Sequence, residues 1–201
     1  MGEPGSQYFD AQPVAASRPS TVRLDLPDRS LTLTTDRGVF SAERVDPGSK
    51  YLLLEAPPPP EHGTFVDLGC GYGPIACTLA ARAPGATVWA VDVNQRALDL
   101  CQRNANRLGL DNVRVTAAGD VPASLSVDLI WSNPPIRIGK AELHEVLTAW
   151  LDRLTPTGCA VLVVQKHLGA DSLQRWLAAQ GWTCHRRSSR TGYRLLEVGR
   201  A

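Results

Sequence analysis

The sequence predicts an α/β fold with a doubly wound, mostly parallel sheet of seven strands and an N-terminal β-hairpin extension. Two observations carry this prediction. After residue 63, short apolar runs alternate with segments whose apolar residues recur at helical spacing, as in strands joined by crossover helices. Hydrophobic residues make up 43% and charged residues 20% of the 201 residues, so the chain can bury a core without disulfides or metals.

The first part of the chain is predicted to be a β-rich extension and a linker. Apolar and polar residues alternate on both sides of Pro27 within residues 22–33, which predicts a hairpin of two half-buried strands. Turns are expected at residues 38–41 and 46–49, where Gly, Pro, Asp and Ser occur. Residues 57–60 are all proline and predict a stiff spacer. The predicted division is therefore 1–60 for the extension and linker and 61–201 for the main domain.

Strands and helices alternate through the main domain. Pro74 suits the first position of a helix, Asn94 can cap the next helix, and Gly109 is a typical helix stop. Apolar residues from Leu143 to Leu154 recur at helical spacing and predict an amphipathic helix. The predicted strands are 65–68, 88–92, 113–117, 127–132, 160–164, 182–184 and 193–198, and the predicted helices are 74–83, 95–108, 143–154 and 173–179.

Composition and charge argue against several classes of protein. No run of eighteen apolar residues occurs and the first ten residues lack a secretory pattern, so a cytoplasmic protein without a membrane span is expected. The five cysteines form no CxxC pair and the four histidines lack metal-ligand spacing, so neither disulfides nor a metal site is predicted. Residues 161–201 hold seven Lys/Arg against two Asp/Glu, which on charge alone is better explained by a solvated rim than by a polyanion site.

A glycine loop joins the first strand of the main domain to its first helix. Gly69, Gly71 and Gly73 stand at alternate positions, which allows a sharp turn and a close approach of the backbone to a ligand. Dinucleotide enzymes use GxGxxG instead, and the carboxylate of Asp67 suits a ligand with an ammonium group better than one with phosphates. Asp92 closes the second strand, where a carboxylate can accept two hydrogen bonds from a ribose diol.

This pattern resembles the class I S-adenosylmethionine-dependent methyltransferases, whose fold is Rossmann-like, over residues 64–198. The resemblance implies S-adenosyl-L-methionine as the cofactor. It implies that the glycine loop surrounds the methionyl part, that Asp92 holds the ribose hydroxyls, and that Asp120 faces the adenine amino group. The cofactor-binding residues implied in this way are Asp67, Gly69, Cys70, Gly71, Gly73, Asp92, Val93, Asp120 and Asn133.

An Asn-Pro-Pro turn follows the fourth strand of the main domain. Successive prolines fix the backbone and make Asn133 extended, so its carboxamide and the carbonyl of Pro134 become a rigid pair of acceptors beside the cofactor. An aryl amine or amide NH2 has two matching donors, and its lone pair would then point at the cofactor's methyl group. The predicted reaction is methyl transfer from a sulfonium to nitrogen. The predicted catalytic residues are Asn133, Pro134, Pro135 and Ile136.

The turn resembles that of the amino-methyltransferase branch of the family. Further segments resemble ribosomal RNA guanine-N2 methyltransferases of the small methyltransferase domain type, namely Tyr8-Phe9 and residues 38–41, 46–49, 52–54, 133–140, 165–169 and 192–193. The resemblance implies an exocyclic guanine N2 amine as the methyl acceptor, and ribosomal RNA or a ribosomal subunit as the partner. Two-domain members carry a second copy of the domain, and this chain carries one, which leaves a homodimer open.

Three residues are expected to bind the substrate. Arg137 and Lys140 flank the expected entrance and are candidates for RNA phosphate contacts, although Lys140 can equally be a solvated residue that begins a helix. Phe40 is a candidate for stacking on a base or for core packing. In the family the residue after the turn is often aromatic, and Ile136 offers only an apolar face.

Three alternatives to guanine methylation stay open at the level of sequence. The same turn occurs in enzymes that methylate a glutamine side-chain amide of a protein. Adenine N6 methylation is a second alternative. The third is a cofactor-bound RNA-binding or ribosome-assembly factor without turnover.

Overall fold

The computed structural model describes residues 15–201, which form nine strands and five α-helices. The strands are β1 (Ser20–Asp25), β2 (Ser30–Thr35), β3 (His62–Leu68), β4 (Gly85–Asp92), β5 (Val113–Ala117), β6 (Val127–Ser132), β7 (Leu154–Gln165), β8 (Trp182–Arg190) and β9 (Tyr193–Arg200). The helices are α1 (Pro47–Glu55), α2 (Pro74–Arg82), α3 (Gln95–Arg107), α4 (Lys140–Leu151) and α5 (Ala170–Ala179).

Seven strands form one sheet in the order β5-β4-β3-β6-β7-β9-β8. All neighbours are parallel except β9, which runs antiparallel between β7 and β8. The chain moves outward from β3 to β5 and then returns to β6, so the strand order reverses between β3 and β6. The carboxyl ends of these two strands border the crevice where α/β sheets bind ligands. The hydroxyl of Ser132 donates to the carbonyl of Leu68 at 2.7 Å and links the two strand ends.

Both faces of the sheet are covered, as the near-continuous apolar strands require. Phe65 and Val66 are fully buried, and they belong to separate hydrophobic clusters on opposite faces because successive strand side chains alternate. The first cluster packs against α2 and α3, and the second packs against α4 and α5. The predicted fold class is confirmed.

The predicted N-terminal hairpin is also confirmed. β1 and β2 pair antiparallel, and Leu24 and Leu33 are buried in the first cluster together with Phe65 of the sheet. At the tip of the hairpin, Asp28 accepts two hydrogen bonds from Arg82 of α2, at 2.9 and 3.0 Å. The hairpin therefore shares the core of the main sheet, while the predicted division after residue 60 stays a prediction.

Residues 46–49 do not form the expected turn. They begin helix α1, whose N-cap is Asp46 and whose first position is Pro47. Asp46 Oδ2 accepts from the backbone N–H groups of Gly48 at 2.7 Å and Ser49 at 3.0 Å. An Asp-Pro pair is common at the start of a helix as well as in a turn. Here the helix is favoured because it buries Leu52 and Leu53 in the first cluster.

The helix predicted up to Leu154 was wrong at its end. α4 ends at Leu151, and Leu154 begins β7, where it pairs with Val127. Leu154 is buried in the second cluster, so its apolar character is explained by the sheet although its spacing from Leu151 is helical. The predicted strands at 160–164 and 182–184 are likewise only parts of the longer β7 and β8. Within residues 15–201, no helix has the length and apolar character needed to cross a membrane.

Candidate active site

A cleft of about 420 Å³ opens at the carboxyl ends of β3, β4, β6 and β7. The glycine loop and the end of β4 form one wall, and the turn after β6 forms the other. Of the predicted site residues, those that line the cleft are Phe40, Gly69, Gly71, Asp92, Val93, Asn133, Pro134, Pro135 and Ile136. The sequence motifs from separate parts of the chain therefore meet in one cavity.

The three glycines of the loop have different functions. Gly69, Gly71 and Gly73 all have positive φ, at 79°, 55° and 93°. A Cβ at Gly69 or Gly71 would have no atom within 4 Å, so these two positions border open space where a ligand can approach the backbone. A Cβ at Gly73 would lie 2.7 Å from the sulfur of Cys101, so this glycine allows α2 to pack against α3.

Asp67 lies beneath the loop and does not line the cleft. It is fully buried, and its Oδ2 accepts from the backbone N–H of Ala76 at 2.8 Å, at the start of α2. Its Oδ1 has no hydrogen-bond partner. Burial raises the pKa of Asp67 to about 8. The negative charge of Asp92 also raises this pKa, and the hydrogen bond from Ala76 lowers it. Because Asp67 lies outside the cleft lining and its raised pKa favours the protonated form at neutral pH, its contact with a ligand's ammonium group stays a prediction.

Asp92 holds the loop from the end of β4. Its Oδ2 accepts from the N–H of Gly71 at 2.8 Å, and its Oδ1 accepts from the N–H groups of Val93 at 2.8 Å and Asn94 at 2.9 Å. Burial raises the pKa of Asp92, and the three hydrogen bonds oppose that rise. Because a carboxylate has about four acceptor positions, Oδ2 keeps one for a ligand in the cleft.

The Asn-Pro-Pro turn is closed by its own backbone. Pro135 has φ −75° and ψ 71°, and the N–H of Ile136 donates to the carbonyl of Pro134 at 2.8 Å. These values are those of an inverse γ-turn. The Pro134 carbonyl therefore has one lone pair occupied and one available, and both prolines restrict its movement.

The carboxamide of Asn133 is oriented by residues that precede the sheet. Its Nδ2 donates to Asp46 Oδ2 at 2.8 Å and to Ser49 Oγ at 3.1 Å. Both N–H bonds of the amide group are thus engaged with the start of α1, and Oδ1 is left as the acceptor. Asp46 and Ser49 were not predicted from the sequence as positioning residues, although the helix-start pattern at 46–47 is a signal that could have placed them.

Other predicted residues lie around the cleft rather than on it. Cys70 is buried under the loop, and burial raises the pKa of its thiol well above the ordinary value. Asp120 is exposed, and within its 3-10 turn it is Ala118 that lines the cleft. The cofactor assignments of Asp67, Cys70, Gly73 and Asp120 stay predictions.

The expected RNA contacts lie next to the turn. Lys140 is the first residue of α4 and lines a second cavity of about 220 Å³, which shares Ile136 and Leu168 with the main cleft. Arg137 belongs to the short 3-10 turn Ile136–Ile138. Tyr8 and Phe9 fall outside the described residues.

Two further residues of the cleft were not predicted as site residues. Gln165 ends β7 and Tyr193 begins β9, and the two face each other in the antiparallel register. Gln165 Nε2 donates to the hydroxyl of Tyr193 at 2.8 Å. Because Gln165 closes a strand next to β6, its position at the carboxyl edge of a parallel sheet was the signal available in the sequence. In the part of the chain that the structure describes, no three His, Cys, Asp or Glu side chains are grouped as metal ligands.

Comparison with protein families identifies the chain. The model of the methyltransferase small domain matches residues 30–197, which include the hairpin's second strand, the glycine loop and the Asn-Pro-Pro turn. The chain belongs to the methyltransferase small domain family. The predicted class, a methyltransferase with this type of domain, is thereby confirmed.

Individual relatives agree with this family. The chain is 35% identical over 168 residues to the uncharacterised protein YbxB of Bacillus subtilis (strain 168), covering 82% of this chain and 84% of YbxB. It is 33% identical over 153 residues to ribosomal RNA small subunit methyltransferase C of Shewanella halifaxensis, covering 74% of this chain and 44% of the relative. It is 29% identical over 169 residues to ribosomal RNA large subunit methyltransferase G of Shewanella amazonensis, covering 80% and 43%. The chain thus spans less than half the length of these two ribosomal RNA methyltransferases.

A solved structure supports the fold. The T. thermophilus 16S rRNA N2 G1207 methyltransferase (RsmC), in complex with AdoMet and guanosine, matches with a TM-score of 0.74 over 94% of this chain and 52% of that chain. The sequence identity is 22%, so this likeness concerns the fold.

Proposed function

We propose that the protein transfers a methyl group from S-adenosylmethionine to the exocyclic N2 amine of a guanine in ribosomal RNA. The observation that carries this proposal is the fixed pair of acceptors formed by Asn133 Oδ1 and the Pro134 carbonyl on the wall of the cleft. The names of the ribosomal RNA methyltransferase relatives support the choice of RNA.

The glycine wall of the cleft fits the cofactor. Gly69 and Gly71 leave open space where a side chain would stand, and Asp92 keeps an acceptor position for a ribose hydroxyl. When bound, S-adenosylmethionine supplies a sulfonium methyl group, whose transfer forms an N–C bond, breaks the S–C bond and leaves the bonding pair on sulfur.

The opposite wall orients the amine. Asn133 Oδ1 and the Pro134 carbonyl accept its two N–H bonds and leave the nitrogen lone pair directed at the methyl group. Alignment of two bound reactants can supply roughly 7–11 kcal/mol of the barrier. The nitrogen becomes acidic as it is methylated and releases its proton to water, so the turn needs no strong base.

The mouth of the cleft suits a nucleotide. Phe40 is 43% exposed and lines the cleft, so its ring is available for stacking on a base. Ile136 supplies an apolar face on the side of the turn. Lys140, which is exposed beside the second cavity, and Arg137 are assigned to RNA phosphates by this proposal.

The substitution Asn133→Ala tests the role of the turn. We expect methyl incorporation into ribosomal RNA to fall at least 100-fold, because removing one fixed hydrogen-bonding group from a reacting centre typically costs about 10²–10³ in rate. Calorimetric binding of S-adenosylmethionine should remain. The matched control is Asn106→Ala, the same change on the exposed face of α3, which should leave both measurements unchanged.

A nucleoside comparison tests the substrate. Mass spectra of ribosomal RNA from cells with and without the gene should differ by one methylguanosine. If the RNA is unchanged and the methyl group is found on a protein glutamine amide or on adenine, the guanine assignment fails. If Asn133→Ala retains full transfer, the role given to the turn is wrong.

A further inference from the structure

The cleft holds a second polar pair whose function is not explained by methyl transfer itself. Gln165 and Tyr193 are half-buried, face each other across β7 and β9, and are joined by the 2.8 Å hydrogen bond from Gln165 Nε2 to the Tyr193 hydroxyl. Both line the cleft that also contains Asn133. Strands β7 and β9 lie on the far side of β6 from β3, which precedes the glycine loop. The pair therefore belongs to the part of the cleft that we assign to the substrate.

Direct contacts connect this pair to the amine-binding end of the wall. A Cβ on Gly48 would lie 2.7 Å from Cε1 of Tyr193 and 2.9 Å from Oδ2 of Asp46, so the ring occupies the space beside this glycine. Asp46 Oδ2 in turn accepts from Asn133 Nδ2. Contacts beside Gly48 therefore link Tyr193 and Gln165 to Asp46 and Asn133, and these four residues all line the cleft.

The hydrogen bond within the pair determines what each partner offers. Because Gln165 gives an N–H to the phenol oxygen, its Oε1 is an acceptor, and the phenol O–H is a donor. The cleft therefore offers two acceptors for an amine, Asn133 Oδ1 and the Pro134 carbonyl. It also offers one further acceptor, Gln165 Oε1, and one donor, the Tyr193 hydroxyl. The Watson–Crick edge of guanine presents the complement, with an N2 amine, an N1–H donor and an O6 acceptor.

We infer that Gln165 and Tyr193 select guanine, with Gln165 Oε1 accepting from N1–H and the Tyr193 hydroxyl donating to O6. This inference rests on the proposed function. An adenine whose N6 amine occupied the same acceptors would place its N1 lone pair against an acceptor. A base that lacks N1–H and O6 would leave both protein groups without partners, which a site built for hydrogen bonding rejects.

Nucleoside binding tests this inference. The probes are guanosine and 2-aminopurine riboside, which keeps the 2-amine and lacks both N1–H and O6, added to the full chain with S-adenosylhomocysteine. Calorimetry should show guanosine binding roughly 10-fold or more tightly, because 2-aminopurine riboside forgoes two hydrogen bonds to half-buried groups. Gln165→Leu and Tyr193→Phe should each weaken guanosine binding several-fold without weakening 2-aminopurine riboside binding, because the groups removed have no partner on that probe.

Matched controls separate recognition from structural damage. Tyr51→Phe removes a phenol hydroxyl that bonds Ser188, beside the Tyr193 ring but outside the cleft lining. Gln174→Leu removes an amide that bonds the carbonyl of Cys184. Both should keep the wild-type preference for guanosine, and all four variants should bind S-adenosylhomocysteine as the wild type does.

Each remaining outcome overturns the inference. It fails if the wild type shows no preference for guanosine, if the two variants keep that preference, or if they lose affinity for both nucleosides equally. If Gln165→Leu and Tyr193→Phe keep the preference for guanosine while Asn133→Ala abolishes transfer to guanine, only this inference is refuted and the proposed function stands. The absence of guanosine binding together with unchanged ribosomal RNA would refute the proposed function as well.

Discussion

One carboxylate oxygen of Asp46 has two structural tasks. Oδ2 accepts the N–H groups of Gly48 and Ser49, which begins α1, and it also accepts from Asn133 Nδ2. The start of a helix that precedes the sheet thereby sets the orientation of the amide that follows β6. If the carboxamide of Asn133 turned around, it would present N–H groups to an amine and could not accept from it.

The substitution Asp46→Ala tests this positioning role. We expect kcat for methyl transfer to fall about 10- to 100-fold with the affinity for S-adenosylmethionine retained, because the amide loses the partner that orients it. Loss of the helix cap should lower the free energy of unfolding by ~1 kcal/mol. Steady-state kinetics and urea unfolding provide the two measurements.

A conservative variant distinguishes positioning from stability. Asp46→Asn keeps an oxygen that can cap α1 and accept from Asn133, so it should recover most of kcat. Asp25→Ala, an exposed position on the hairpin, is the control for removal of an aspartate. Equal loss of kcat in Asp46→Ala and in an equally destabilised variant elsewhere would show that Asp46 acts only through stability.

At the scale of elements, the glycine loop depends on the helices that pack behind it. Asn104 of α3 donates from Nδ2 to the carbonyls of Thr34 and Tyr72, each at 2.8 Å, and its Oδ1 accepts from the N–H of Thr34 at 2.7 Å. This buried amide joins the hairpin, α3 and the loop. The N-terminal hairpin therefore supports the glycine loop although it lies far from it in sequence.

Replacement of Gly73 by alanine should disturb this packing. The new Cβ would meet Cys101 Sγ at 2.7 Å on a backbone with φ +93°, so both overpacking and backbone strain oppose it. We expect the free energy of unfolding to decrease by roughly 2–5 kcal/mol, since left-handed backbone costs ~1–2 kcal/mol and overpacking ~1–3 kcal/mol. Denaturant unfolding measures the loss.

Gly109→Ala is the matched control for this substitution. Gly109 also has a positive φ, of 67°, but a Cβ there would have no neighbour within 4 Å. The free energy of unfolding of Gly109→Ala should therefore fall only by the ~1–2 kcal/mol that a left-handed backbone costs an alanine. Equal losses at the two glycines would show that the contact with Cys101 is relieved without cost.

At the scale of the whole molecule, a buried carboxyl group makes stability depend on pH. Burial raises the pKa of Asp67 to about 8 from an ordinary value of 3.8. The folded protein then holds a proton that the unfolded chain releases. Its contribution to the free energy of unfolding is therefore fully present below pH 3.8 and is lost as the pH rises through about 8.

The variant Asp67→Asn should remove this contribution to the pH dependence. Its amide oxygen can still accept from Ala76, and it carries no charge at any pH. From acidic to alkaline pH, the free energy of unfolding of Asp67→Asn should rise relative to that of the wild type by up to ~6 kcal/mol, since one pKa unit corresponds to about 1.4 kcal/mol. Urea unfolding across this pH range, with the exposed Asp111→Asn as control, measures it. Parallel curves for wild type and Asp67→Asn would contradict the prediction.

Much of the molecule could be predicted from its sequence because the signals were local. The strands β6 and β7 contain the apolar runs 129–131 and 160–164, α3 has its Asn94 cap, and the glycine loop and the Asn-Pro-Pro turn are short motifs. Helix α1 was missed as a whole because Asp-Pro is a signal for turns and for helices alike. The end of α4 was missed because Leu154 continues a helical spacing by coincidence while it pairs with Val127 in the sheet.

The sequence by itself determined the order of strands and helices after residue 60, the class of the fold and the two motifs that border the cleft, since each depends on residues close together in the chain. Only the tertiary structure decided which groups line the cleft together. Asp46 reaches Asn133 across 87 positions, and Gln165 meets Tyr193 across 28. Such contacts follow from the strand order and from the packing of α1, which are fixed by burial of the whole core and not by any short segment.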